Sequence, residues 1–494
     1  MRRVRAAPPL PAAGTTPARP AHPAALRWTI RAIGPFRPCH PPMFEHSARL
    51  TSLIGGDAAL IRIWSPTATL QRMLDVEAAL ARALAAHGVI PAAAVAPIEA
   101  ACRAERLDAE ALARDAALGG NLAIPLVKQL TARVKDADAE AAKFVHWGAT
   151  SQDILDTGLV LQLRETFDAL ALRLDTVCAS LAELARVHRA TPMIGRTWLQ
   201  QALPITLGLK FAQWLDALGR HRRRLAALRG EVLVLQFGGA AGTLASLREA
   251  APRVAASLAA ELALALPDLP WHTQRDRIAE TAAFFAMVIG TLGKIARDIS
   301  LQMQTEIGEL AEPAAAGKGG SSTMPHKRNP VGCAAVLSAA VRAPGLAATV
   351  FAGMVQEHER ALGGWQAEWD ALPELARLAG GALAGVAQIV GGLQVDTARL
   401  AANLDATRGL VLGEAVMLAL GDRIGRLDAH HLVEQASQEA VRTGRTLHEV
   451  LAAEPAVGAH LTPDALRRLL DPAHYVGEAA AFVDAVLVRH AGHA

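Results

Sequence analysis

Residues 154–190 read ILDTGLVLQLRETFDALALRLDTVCASLAELARVHRA, thirty-seven residues without a proline. Leu170, Leu174, Val177, Leu181 and Leu184 recur at steps of four and three, the period of one apolar helix face. At 1.5 Å per residue such a helix runs about 55 Å, too long for one small core and suited to a bundle. Two more long patterns follow, one opened by Pro204 and running to about Leu228, the other from Arg277 to Glu312. Upstream, Leu70, Met73, Leu74, Val76, Leu80 and Leu84 trace a further amphipathic helix.

Composition agrees with an all-α chain. Hydrophobic residues make up 52% of the 494, yet aromatics only 4%, with Tyr475 the single tyrosine. That apolar content is mostly Ala, Leu and Val, which favours helix packing over aromatic-rich β-sandwiches. Cys39, Cys102, Cys178 and Cys333 show no CxxC spacing, so neither a disulfide framework nor a zinc site is expected, and a reducing cytoplasm is the simpler home. The apolar run from Leu378 to Leu393 is short for a bilayer and diluted by glycine, so no membrane partner is expected. Residues 1–44 hold seven arginines and no acid; removing those charges from the net +3 leaves the remainder at −4, no signature of nucleic-acid binding.

The chain divides into a Pro-, Ala- and Arg-rich extension (1–44), an N-terminal helical domain (45–150), a central long-helix domain (151–395) and a C-terminal domain (396–494). The extension reads as disordered, and Met43 offers an alternative start to Met1. Several tempting motifs fail. Val232–Thr243 lacks the GxGxxG spacing, Gly290–Lys294 is no P-loop, His448-Glu449 lacks a second histidine, and the adjacent His430 and His431 point about 100° apart on a helix. No metal or other cofactor is expected.

Three polar segments interrupt the helices: His146–Asp153, Gly195–Gln200 and Gly317–Pro330. The third gathers glycines, two adjacent serines and three basic or imidazole side chains, the make-up of a mobile active-site loop. Asn329 reads as an N-cap with Pro330 at the first helical position, so Lys327 and that helix N-terminus together would attract a carboxylate. Ser321 or Ser322 would then serve as an acid/base hydroxyl.

Gly320-Ser-Ser-Thr-Met-Pro-His-Lys-Arg-Asn-Pro330 resembles the signature loop of the fumarase/aspartase superfamily, and the segments at 146 and 195 resemble its two other active-site segments, in order. The likeness covers about residues 45–494. Within the superfamily, residues 196–204, 236–242, 270–277 and 356–369 resemble the 3-carboxy-cis,cis-muconate cycloisomerase family. The sister adenylosuccinate lyases share Gln274-Arg275-Asp276 and His358-Glu359-Arg360, but normally carry histidine where this chain has Trp198.

The resemblance implies three all-helical domains in a cytoplasmic homotetramer, sites composed from loops of several subunits, a tricarboxylate substrate and no cofactor. The implied reaction closes a lactone ring in protocatechuate breakdown by the β-ketoadipate route. Ser321 matches the catalytic serine, delivering a proton to the enolate-like carbon. Lys327 and Asn329 match positions that hold the carboxylate bearing the developing charge, and His146 matches a fallback acid/base. Thr150, Ser151, Gln152, Thr197 and Gln200 match substrate-binding positions. Trp198 would line the pocket, with Gln274, Arg275 and Arg360 as further ligand candidates, each of which also reads as a structural ion pair or helix-surface residue. Two rivals remain: a fumarate-releasing lyase akin to adenylosuccinate lyase, and a non-catalytic helical scaffold.

Overall fold

The computed structural model describes residues 51, 54–315, 317–320, 323–324 and 326–492. The N-terminal extension, Ser321, Ser322 and Pro325 lie outside the described residues.

Helix α1 (Pro66–Ala86) carries the apolar stripe read from the sequence, with Ser65 as N-cap and Pro66 at N1. It packs on α2 (Ser151–Val187), the 37-residue helix that dominates the chain. Four further long helices complete the bundle: α3 (Leu207–Val232), α4 (Asp276–Gln302), α5 (Val331–Ala352) and α6 (Gly364–Gly391). Helix α2 lies against α3 and α6, and α4 lies against α3, α5 and α6. Phe167, Phe211 and Phe285 are buried among their leucines, with Phe167 and Phe285 ring centroids 6.2 Å apart. The C-terminal helix α7 (Ala479–Ala491) returns to pack on α3. A second apolar core, around Val416, Leu420, Leu447, Leu451 and Leu466, forms under the C-terminal helices.

Strand content is small. Strands β1 (Pro192–Thr197) and β2 (Gln200–Thr206) make a hairpin between α2 and α3, while β3 (Leu310–Ala311) pairs with β4 (Gln394–Val395). The hairpin corrects the expectation that Pro204 opens a helix: Pro204 sits in β2 opposite Ile194, and α3 starts at Leu207 with Thr206 capping Leu209 N at 3.2 Å. Helix α4 stops at Gln302 rather than Glu312, because a turn and β3 intervene.

Helices α4 and α5 are long and apolar enough to cross a membrane by length and composition. The most apolar window of α4 is 61% buried within the chain, that of α5 only 28%. Helix α5 and the turn after it therefore present an apolar face to the outside, with Val341 at 80% and Val355 at 85% exposure.

Candidate active site

The first polar segment is built around Asp153. Its buried carboxylate receives five hydrogen bonds: Oδ1 from Gln236 Nε2, Gly238 N and His272 Nε2, and Oδ2 from Thr150 N and Gly239 N, all at 2.9–3.1 Å. One side chain thus closes the capping box of α2 and pins the 236–242 glycine loop beside it. The glycine loop is no nucleotide turn; Val234 makes only an isolated bridge to Ala265.

Thr150, the N-cap of α2, faces outward enough to accept from Arg360 Nη1 at 3.0 Å, and Arg360 Nη2 donates to Ala240 O at 3.0 Å. Among the described residues Arg360 has only these neutral acceptors, so its charge stays available to a ligand. Ser151, at the first helical position, is half-buried beside it.

Two expected ligand groups do not reach this surface. Gln152 is fully buried, donating to Asp156 Oδ2 and His272 O at 2.9 and 2.8 Å. Arg275 is locked between two buried carboxylates, with Nη1 to Asp156 Oδ2 at 2.6 Å and Nη2 to Glu368 Oε2 at 2.5 Å. Its indole neighbour Trp271 lies 5.1 Å away, and Trp365 Nε1 adds a further bond to Asp156. These two residues brace the floor of the site rather than line it. Gln274 is exposed.

His146 adopts φ 60°, a left-handed backbone that histidine tolerates better than most residues. Its Nδ1 lies 2.6 Å from Oε1 of Glu77, a buried carboxylate on α1. Burial opposes the charged ring, but Glu77, with help from Asp153, outweighs it and raises the imidazole above its ordinary value.

The signature loop leaves β3 and enters α5. Contrary to the sequence expectation, Asn329 does not cap α5; Pro330 holds the N-cap position without a side-chain bond. Glu312, from just before the loop, supplies the cap, accepting from Gly332 N at 3.1 Å and Cys333 N at 2.7 Å. Lys318 Nζ pairs with the same carboxylate at 3.4 Å. The positive end of α5 is therefore already filled by a carboxylate from the chain itself.

The loop neck is a pinch in which Asn329 N donates to Gly319 O at 2.8 Å. Gly319 has φ 70°, and a Cβ there would lie 2.5 Å from Asn329 O. Gly319→Ala is therefore expected to pry the neck apart, misplacing Lys327 and Asn329 and lowering kcat by about 100-fold. Melting temperature should hardly move, since Lys327 and its neighbours are exposed; a paired activity and thermal-shift assay separates the two effects.

The hairpin tip supplies Thr197, Trp198 and Gln200, all exposed, Trp198 at 97%. Trp198 and Leu199 have φ 53° and 64°, as in a two-residue type I′ turn, where Asn-Gly is the usual choice. Each non-glycine residue in that conformation costs about 1–2 kcal/mol. The tip is therefore strained, apolar and solvent-facing at once.

Thr150, Ser151 and Arg360 gather at the N-terminal end of α2. The hairpin starts just beyond its C-terminal end, about 55 Å away along a 37-residue helix. The signature loop belongs to the hairpin end: Arg196 in β1 forks onto Glu309 at 2.9 and 2.6 Å, and Arg328 reaches Gln394 Oε1 at 3.2 Å. Thr197, Trp198, Gln200, Lys327 and Asn329 thus share one end of the chain, and the other ligand candidates occupy the opposite end.

Glu77, Asp153 and Glu312 were not singled out from sequence. Glu77 had a readable signal, an acid on the apolar stripe between Met73 and Leu80; Glu312 had none beyond its position before the loop.

Comparison with known proteins places the chain in a family. The lyase family pattern matches residues 56–345, and the adenylosuccinate lyase C-terminus pattern matches residues 409–486. The chain belongs to the lyase family of the fumarase/aspartase superfamily. Among its relatives, the 3-carboxy-cis,cis-muconate cycloisomerase of Pseudomonas aeruginosa is 58% identical over 433 residues, 88% of this chain and 94% of that one. The crystal structure of the 3-carboxy-cis,cis-muconate lactonizing enzyme from Pseudomonas putida superposes with a TM-score of 0.86 at 52% identity, covering 90% of this chain and 99% of the other. The nitrosuccinate lyase of Streptomyces davaonensis, 46% identical over 85% of this chain and 90% of its own length, shows how far chemistry varies within the lyase family.

Proposed function

We propose that the chain is a cycloisomerase that converts 3-carboxy-cis,cis-muconate to 4-carboxymuconolactone. A substrate carboxylate oxygen bonds to an alkene carbon, the alkene electrons move onto the neighbouring carbon as an enolate-like anion, and that carbon takes up one proton. One carboxylate charge is consumed with each proton gained. Ser321 delivers the proton and is replenished from solvent. Lys327 and Asn329 hold the carboxylate on which charge builds, the kind of electrostatic support that carries most of such barriers.

The observation that carries this reading is Trp198. Lyases that expel an amine need an acid to protonate it, and histidine is suited to that near neutral pH. A ring closure whose nucleophile is an ionised carboxylate needs no such donor, and an indole can shape the pocket instead. The relatives point the same way: four cycloisomerases from Pseudomonas, Bradyrhizobium and Acinetobacter are 46–58% identical to this chain.

The working unit is a homotetramer in the cytoplasm, with sites composed from both ends of different copies. The 55 Å helix between the segments, the strained Trp198 tip and the exposed face of α5 support that assembly, since each leaves a surface that a second copy would cover. The domain edges near 150 and 395 belong to the same proposal.

An ultraviolet assay tests the function. Loss of muconate absorbance with 3-carboxymuconate is expected; fumarate release from adenylosuccinate would favour the lyase reading, and inertness to both a scaffold. Native mass spectrometry of the same sample is expected to give four chains.

A further inference from the structure

We propose that Glu77 is a positioning residue that fixes His146 in its doubly protonated form, so that His146 receives a substrate carboxylate through Nε2–H instead of abstracting a proton. The inference rests on the reading of the substrate as a tricarboxylate.

The geometry is specific. Glu77 projects from α1 into the core beside Met73, Leu74 and Leu80, its side chain 1% exposed, and His146 is its one ionic partner among the described residues. The 2.6 Å contact runs from Nδ1 to Oε1, so the ring donates through Nδ1 and turns Nε2 away from the carboxylate. Nε2 has no hydrogen-bond partner among the described residues. The left-handed backbone at His146 and the asymmetric contact together set the ring's direction, a strain that surrounding structure must enforce.

Electrostatics then choose the protonation state. If His146 lost its second proton, Glu77 would remain as a buried carboxylate without a countercharge, an arrangement that costs several kcal/mol. The charged groups facing the ring are both acidic: Glu77 from α1 and Asp153 from the start of α2. Both favour the cation, consistent with the upward shift of His146 despite its burial. A base would need Nε2 empty; this pair favours the proton there. His146 sits four residues before Thr150, which holds Arg360, so the same segment offers a second donor for an anionic ligand.

Two measurements test this, one of them independent of substrate. Histidine-ring NMR of the intact protein should show His146 titrating above the ordinary histidine value, and Glu77→Gln should bring its midpoint down towards that value. A wild-type His146 that titrates at or below the ordinary histidine value overturns the proposal, whether or not Glu77→Gln folds. With 3-carboxymuconate, the basic limb of kcat/KM should move down in Glu77→Gln by the same interval. His146→Gln, which keeps a donor but no base, should raise KM about tenfold while kcat stays within about tenfold. A thousandfold fall in kcat at unchanged KM would assign His146 to proton transfer and refute the donor role. If the chain leaves 3-carboxymuconate untouched, the functional reading fails, yet the NMR titration still decides the Glu77–His146 coupling.

Discussion

Arg275→Met should destabilise the chain by about 3–5 kcal/mol, the usual cost of removing one partner from a buried ion cluster. The guanidinium is fully buried and makes forked bonds to Asp156 and Glu368, themselves sealed from solvent. Methionine fills similar space but leaves two carboxylates facing each other without a cation. The loss should depend on pH in a defined direction. Burial pushes the Glu368 carboxyl up, and Arg275 pulls it down only part of the way. Without Arg275 it rises further. A carboxyl raised in the folded state costs nothing below its unfolded value, about 4.3, and costs more as pH climbs towards the folded value. The deficit of Arg275→Met is therefore smallest near pH 4–5 and largest near pH 8. Urea unfolding at both pH values measures it, and adding Glu368→Gln should restore part of the loss. Equal deficits at both pH values would mean that packing, not charge, is what Arg275 contributes.

Ser321→Ala should lower kcat by about 1,000-fold, within the range that a positioned acid or base supplies. KM, oligomeric mass and melting temperature should stay near wild type, because Glu312, Lys318 and the Gly319–Asn329 pinch fasten the described part of the loop. Ser322→Ala is the control and should remain active. Rapid-quench turnover with 3-carboxymuconate distinguishes the two serines; an unchanged rate in Ser321→Ala would remove that residue from the proton transfer.

Helix α2 was legible to within three residues at each end, because its signal is a local repeat: leucine and valine at three- and four-residue steps. The hairpin was not. Its tip lacks glycine and asparagine, so turn chemistry is silent, and Pro204 reads as a helix start when it occupies a strand. The cap of α5 misled for a different reason. Asn329-Pro330 has the local form of a helix entry, but a carboxylate at Glu312, distant in sequence and adjacent in space, took the bonds first. Arg275 shows the same limit: its partners stand at 156 and 368, and no pattern near 275 announces them. Local periodicity gave the rods, polar interruptions and family likeness gave the three segments, and only tertiary contacts separated the exposed candidates from the buried ones.

The length of α2 also has a genetic meaning. Under the proposed assembly each site borrows its Thr150–Arg360 end and its Trp198–Lys327 end from different copies. A copy with a damaged Arg360 end still carries a sound Lys327 end, and the converse holds for its opposite. Two inactive alleles, one injured at each end, should therefore complement when co-expressed, since some mixed tetramers reunite two sound ends. Two alleles injured at the same end should not. Activity in this protein then belongs to the population of chains, and a long helix is the reason.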